Sequence, residues 1–339
     1  MKMFFRRHTF LISLAMCILI TNQTFAGKSY SLLVSSLPET SGDQKYMAQI
    51  LRKNALFSSN SVCTFTYDTT TKLGLGGTTV TSYKNAIRTA YKGSTKNDVC
   101  FFFHSGHGSS FGDKTPGLGL SLKWAGLQHY NYNTLLIDLA GVNCKHMIVF
   151  INACHSGAVA DAWKRLGSTQ KKKISVFWSS GSNADSYHKN NNKKLSFYGL
   201  AMFSGFGGTG SLNADLDGNR AINITELGVF LNAFVPEYAM RNKTTQNPGF
   251  ITLNPLTEVF AISASTRLNK SKLTIRVKSS ATLTVTVKGE SNKVSWKSSN
   301  SKIATVKNGK VTGIKAGTAT ITASANGKSS SCKVTVKKK

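Results

Sequence analysis

Acidic residues are scarce in this chain. It holds 14 Asp and Glu against 43 Lys and Arg in 339 residues, a formal charge of +29 at neutral pH. An excess of that size argues against an ordinary cytosolic enzyme and for anionic surroundings: envelope polymers, a membrane surface or nucleic acid. No nucleic-acid motif accompanies the charge, so an envelope polymer is the expected partner and specific nucleic-acid recognition is not. Long apolar runs are missing as well: beyond residue 20 no stretch is long enough to span a bilayer. The six cysteines are too irregularly spaced for a disulfide framework. What remains, 40% hydrophobic residues in a chain longer than one average domain, supports real cores and two domains.

The N-terminus carries an apolar run too short for a permanent anchor. Lys2, Arg6 and Arg7 precede an apolar core at residues 10–20, and Thr24-Phe25-Ala26 ends in a small residue. This is the pattern of a secretory signal peptide, residues 1–26, cleaved after Ala26. It predicts a secreted or envelope-associated protein without a membrane span in the mature chain. Outside that segment lie Cys63, Cys100, Cys144, Cys154 and Cys332. An odd number leaves at least one free thiol. Cys63, Cys100 and Cys144 are expected as small buried hydrophobes, with a Cys100–Cys144 bridge left open.

Two strand ends carry the chemistry. Ile148-Val149-Phe150-Ile151 is an unbroken apolar run of the parallel-sheet kind, followed by Asn152-Ala153-Cys154-His155-Ser156-Gly157. Upstream, Val99-Cys100-Phe101-Phe102-Phe103 ends in His104-Ser105-Gly106-His107-Gly108. Neighbouring parallel strands would bring an imidazole and a thiol to one rim of a sheet, where open α/β folds keep their reactive groups. A thiol nucleophile needs such a neighbour, because the thiolate attacks and a nearby His lowers its pKa. A helix over residues 158–166 is expected to add its positive dipole.

His-Ser-Gly-His-Gly and Asn-Ala-Cys-His-Ser-Gly together resemble the motifs of the caspase-like cysteine peptidases, the group of caspases, metacaspases, clostripain and gingipains. His107 and Cys154 stand 47 residues apart, against roughly 50 in the caspase pattern. The resemblance covers residues 28–255 and implies an α/β domain, a mostly parallel sheet flanked by helices. It implies a cysteine endopeptidase working through a thioester acyl-enzyme, with Cys154 as nucleophile, His107 as base, and the backbone N–H groups of Gly108 and Cys154 as oxyanion hole. Metacaspases carry Asp where this chain has Asn152, so a basic preference at P1, the residue before the scissile bond, does not simply carry over. Asp185 and Asp113 are candidates to restore it, and residues 37–45 offer no arginine to receive an acidic P1. Related enzymes are often cut in the region of residues 189–194, which makes that loop an autolysis candidate. His104 and His155 are expected as structural neighbours.

Strands at 30–35 and 62–67 and helices at 43–56, 81–91 and 132–139 alternate as βαβ units. The glycines at 73–77 lack the Lys-Ser/Thr of a phosphate loop. Asp215, Asp217, Asn219, Asn223 and Glu226 have the spacing of an EF-hand calcium loop, with Arg220 where its glycine belongs and Thr225 as candidate helix cap. No cofactor is required by this chemistry, and calcium is the one candidate ion.

After a linker at 256–267 the character changes. Residues 266–339 hold seventeen Lys and Arg and a single acid, Glu290. Strand patterns recur at 273–277, 283–287, 294–297, 318–323 and 332–336, an all-β sandwich signature. Ser295-Trp296-Lys297, Gly309-Lys310-Val311-Thr312-Gly313 and Ala316-Gly317-Thr318 resemble the bacterial immunoglobulin-like domain, group 2, placed at 268–339, with Trp296 in its core. Two functional readings follow: an exported peptidase targeted to an anionic envelope surface by this basic module, or a surface adhesin whose caspase-like scaffold no longer cuts.

Overall fold

The computed structural model describes residues 27–36, 41–66, 80–109, 116–119, 129–188, 195–208, 212–261, 265–288, 294–325 and 328–338. The segment 1–26, the glycines at 73–77, Asp113 and the loop 189–194 lie outside them.

The N-terminal domain is built on β1 (Ser29–Ser35), β2 (Asn60–Thr66), β3 (Val99–Ser105), β7 (His146–Asn152) and β8 (Ile174–Trp178), closed by β10 (Gly249–Ile251). The sheet order is β10-β8-β7-β3-β1-β2; all pairs are parallel except β10 with β8. β3 and β7 are buried at every position, the expected signature of strands covered on both faces. One face packs α2 (Val80–Ala90), α3 (Tyr132–Ala140) and α4 (Val159–Arg165) over Tyr83, Phe102, Leu136, Val149 and Trp163. The other takes α1 (Ser41–Arg52), α6 (Phe197–Gly205) and α7 (Ile224–Arg241) over Phe103, Phe150, Phe177 and Met202. A short hairpin set, β4 (Gly108–Ser109), β5 (Gly117–Gly119) and β6 (His129–Asn131), follows β3. α5 (Ser168–Lys173) leads into β8, and β9 (Ala221–Asn223) pairs with β11 (Glu258–Ala261).

Some boundaries differ from the sequence expectation. The helix expected at 43–56 starts at Ser41 and stops at Arg52, because Asn54 leaves it to bond the backbone of Val259 and Ala261. The helix after Cys154 begins as a 3-10 turn, Ser156–Ala158, and becomes α-helical only at Val159. Thr225 is not the cap of α7: Asn223 is, its side chain accepting from Glu226 N–H while Glu226 reaches back to Asn223 N–H.

The C-terminal domain is all β, in order β12 (Ser265–Leu268), β13 (Lys272–Arg276), β14 (Ser280–Thr282), β15 (Val285–Lys288), β16 (Ser295–Ser298), β17 (Ala304–Lys307), β18 (Lys310–Gly313), β19 (Gly317–Ala325) and β20 (Lys328–Lys337). A four-stranded sheet β13-β20-β19-β16 and a three-stranded sheet β14-β18-β17 enclose Ile275, Leu283, Val311, Ile321 and Val334. Trp296 packs against that core.

Candidate active site

The register of two strands sets the site. Ser105 at the end of β3 pairs with Asn152 at the end of β7. His107 and Cys154, each two residues further on, therefore leave adjacent strands at the same level. The chain turns from β1 to β2 on one side and then to β3 on the other, so the crevice beyond β1 and β3 is a switch point of the sheet. The His-bearing loop is latched to both neighbours: Gly106 N–H donates to the Asn152 carbonyl, 3.0 Å, and His107 N–H to Ser36 Oγ, 3.2 Å. Gly108 lies directly on the nucleophile's backbone. A Cβ there would fall 2.1 Å from the Cys154 carbonyl oxygen and 2.9 Å from Ala153 Cβ, so only glycine allows this approach.

Cys154 is half-buried and its thiol is free. Ser186 N–H donates to its Sγ at 3.3 Å. Burial pushes the thiol above its ordinary pKa, the Ser186 N–H pulls it down, and the Asp185 carboxyl beside it pushes it up again. This corrects the expectation of an acidified thiol: burial, the largest effect, and the Asp185 carboxyl outweigh the Ser186 N–H. Asp185 is exposed and sits at the site as its sequence position suggested. His155, in the left-handed region at φ 56°, faces away and bonds the Ser182 carbonyl. His104 is buried against Tyr83 Oη at 2.9 Å, and burial lowers its imidazole to about 3, which fits a structural neighbour. The Tyr132 hydroxyl is buried beneath this region with no hydrogen-bond partner among the described residues.

Under the rim lies a residue the motif reading missed. Asp43, in the first turn of α1, is 0% exposed, and among the described residues it has no ion-pair partner. Its Oδ2 accepts from Ser105 Oγ at 2.6 Å and Asn152 Nδ2 at 2.9 Å; its Oδ1 accepts from Ser196 N–H at 3.0 Å. Gly199 makes room for it: a Cβ there would lie 1.8 Å from Oδ1. Burial lifts the Asp43 carboxyl to about 6 against the pull of those donors. Asn152 is itself buried, bonding Asp43, Ser105 and Ser196 through its amide and receiving Ser186 Oγ at 3.0 Å. It holds Asp43 in place and does not present an open pocket wall. The sequence signal was an acid two residues into a helix that opens just past β1.

Away from this rim, residues 215–226 form a turn that runs into β9 and the start of α7. Arg220 adopts φ 72° at the position where glycine is usual. Carboxylate oxygens of Asp215, Asp217 and Glu226 lie within 4.8 Å of one another, the one His/Cys/Asp/Glu group of metal-binding geometry among the described residues. Asp215 accepts from the N–H groups of Gly218, Asn219 and Arg220, while Asn223 serves as the helix cap. Burial raises Glu226, and the charge of Asp217 raises it further.

The caspase-domain profile matches residues 14–271. The chain belongs to the caspase family. A second profile, the bacterial Ig-like domain (group 2), matches residues 263–336 of this caspase-family chain. Among solved structures, caspase-1 from Spodoptera frugiperda is similar at 13% identity and a TM-score of 0.47, over 70% of this chain and 93% of that one. Gingipain R, an Arg-specific cysteine proteinase, is similar at 13% identity and a TM-score of 0.40, over 94% of this chain and 69% of that one. No curated protein sequence matches it. Among the described residues no helix is long and apolar enough to cross a membrane.

Proposed function

We propose that this chain is an exported cysteine endopeptidase that cleaves after basic residues and is held at an anionic envelope surface by its Ig-like domain. The observation that carries the peptidase reading is the seating of Gly108, the residue after His107, against the Cys154 backbone at the paired ends of β3 and β7. Cys154 Sγ attacks the scissile carbonyl as His107 takes the thiol proton, giving a tetrahedral oxyanion that faces the N–H groups of Gly108 and Cys154. Collapse expels the amine, which receives the proton from His107, and leaves a thioester on Cys154. Water, deprotonated by His107, then attacks the thioester and releases the carboxylate product and the thiol.

The basic preference rests on Asp43, a buried carboxylate with no ion-pair partner among the described residues, hydrogen-bonded to Asn152 two residues before the nucleophile. The export reading rests on residues 1–26, and the targeting reading on seventeen cations against one acid in residues 266–339. Calcium in the Asp215 loop is structural in this reading, supported by the carboxylate cluster, in which burial and the neighbouring Asp217 charge raise Glu226. The test is hydrolysis of a peptide library varied at P1, with Cys154→Ala as control. Cleavage after Arg or Lys that disappears in the variant is the expected result; cleavage that survives in Cys154→Ala, or none from folded protein, refutes the peptidase.

A further inference from the structure

In the C-terminal domain, strand register lines up five of the seventeen cations of residues 266–339, Lys272, Arg276, Lys297, Lys333 and Lys337, on the outer face of one sheet. β13 pairs with β20 so that Lys272 stands beside Lys333 and Arg276 beside Lys337. All four are exposed, while the intervening Leu273, Ile275, Val334 and Val336 point into the core. On β16, Lys297 is exposed in the row of Thr322 and Ser331. The remaining outward positions of this four-stranded sheet carry hydroxyls, with Thr322 Oγ1 to Ser331 Oγ at 2.9 Å and Ser324 Oγ to Ser329 Oγ at 2.7 Å. The only acid in residues 266–339, Glu290, lies outside the described residues, and no residue of the four strands is acidic.

Like charges directly opposite on paired strands destabilise a sheet. Here two such pairs stand side by side and no strand of the sheet supplies an acid against them. Such a face is relieved by an external polyanion. The two rows lie about 13 Å apart along the strands, and β13 lies about 14 Å from β16 across the sheet, from ordinary strand spacings. No aromatic side chain projects from this face to stack a base, which disfavours single-stranded nucleic acid. Lysine point charges, one arginine fork and hydroxyl donors are the groups that bind phosphate oxygens.

We infer that the outer face of β13-β20-β19-β16 is a docking surface for an extended phosphodiester polymer of the cell envelope. The inference rests on the targeting reading above and adds the face and the chemistry of the occupant. The test uses the full chain and immobilised poly(glycerol phosphate) at near-physiological salt. Lys272→Thr with Lys333→Thr removes one row while keeping strand-compatible side chains. Lys307→Thr with Lys310→Thr removes the same charge from a pair on the other sheet. The expected result is a loss of about tenfold to thirtyfold in affinity for the first pair, and less than threefold for the second. The first pair is also expected to flatten the dependence of log Kd on log salt by roughly 1.5, because each phosphate no longer neutralised removes nearly one unit of slope. Equal losses from both pairs would overturn the face and leave electrostatic targeting standing. No binding by the unaltered chain would overturn the targeting reading as well. Equal affinity for polyglutamate would overturn the phosphate chemistry, and equal affinity for single-stranded DNA would overturn the envelope polymer as occupant.

Discussion

Asp43 offers the sharpest test of specificity. Its carboxyl is carried from an ordinary 3.8 to about 6 by burial, which corresponds to about 3 kcal/mol of unfavourable charge burial once it ionises. A Lys or Arg side chain at P1 brings the missing counter-charge and recovers much of that, but only from the ionised carboxylate. The ratio of kcat/KM for a P1-Arg peptide over its P1 norleucine analogue cancels the ionisations of Cys154 and His107 that both substrates share. That ratio is expected to rise as pH climbs through about 6 and to level above it. Folding stability runs the other way. An acid whose folded pKa is raised contributes most below its unfolded value and loses that contribution as pH rises through about 6. Asp43→Asn is expected to cost the basic substrate about 100-fold in kcat/KM, the equivalent of that 3 kcal/mol, and the neutral one only a few-fold, which also reports that the variant folds. A selectivity ratio that is flat with pH, or unchanged in Asp43→Asn, would refute the reasoning.

Three further outcomes are expected. Asp185→Asn should lower the pKa of Cys154, because the carboxyl beside the thiol raises it; the midpoint of the pH profile of iodoacetamide alkylation reads this, and an unshifted midpoint contradicts it. Gly108→Ala forces a Cβ to within 2.1 Å of the Cys154 carbonyl oxygen, an overpacking of about 1–3 kcal/mol; peptide cleavage should drop at least tenfold with a lower melting temperature, and wild-type activity would show that the loop is not seated this way. In the Asp215 loop, calcium at about 100 times its Kd should add about 2.7 kcal/mol. Glu226→Gln keeps the capping box that Gln also forms but should abolish the calcium-induced rise in melting temperature; a chelator without effect on the unaltered chain would remove the ion from the account.

Much of this site was legible because the two motifs carry their own local structure. An apolar run that stops at a polar cluster marks a buried parallel strand and its carboxyl end, and two such runs fixed both β3 with His107 and β7 with Cys154. The all-β domain was legible for the same reason, since alternation in 318–323 and 332–336 survives as the buried and exposed sides of β19 and β20. Asp43 was not legible: it meets Asn152 across 109 residues of sequence, and nothing local distinguishes it from an acid that favours a helix N-terminus. The pKa of Cys154 was misjudged because it depends on burial of the thiol and on Asp185, 31 residues further on, neither of which periodicity reveals. The cap of α7 moved from Thr225 to Asn223 because Glu226 closes a reciprocal pair with Asn223.

The hydrogen bonds around Asp43 have a temporal side. They join α1 to Ser105, Asn152 and Ser196 across 62, 109 and 153 residues, so every one closes a long loop, the class of contact that forms late. A chain still emerging from the ribosome holds Cys154 before Ser196 has been made, so the hydrogen-bonded set around Asp43 is not yet closed. The set closes only once the last of these segments has arrived, and Ser196 is the last.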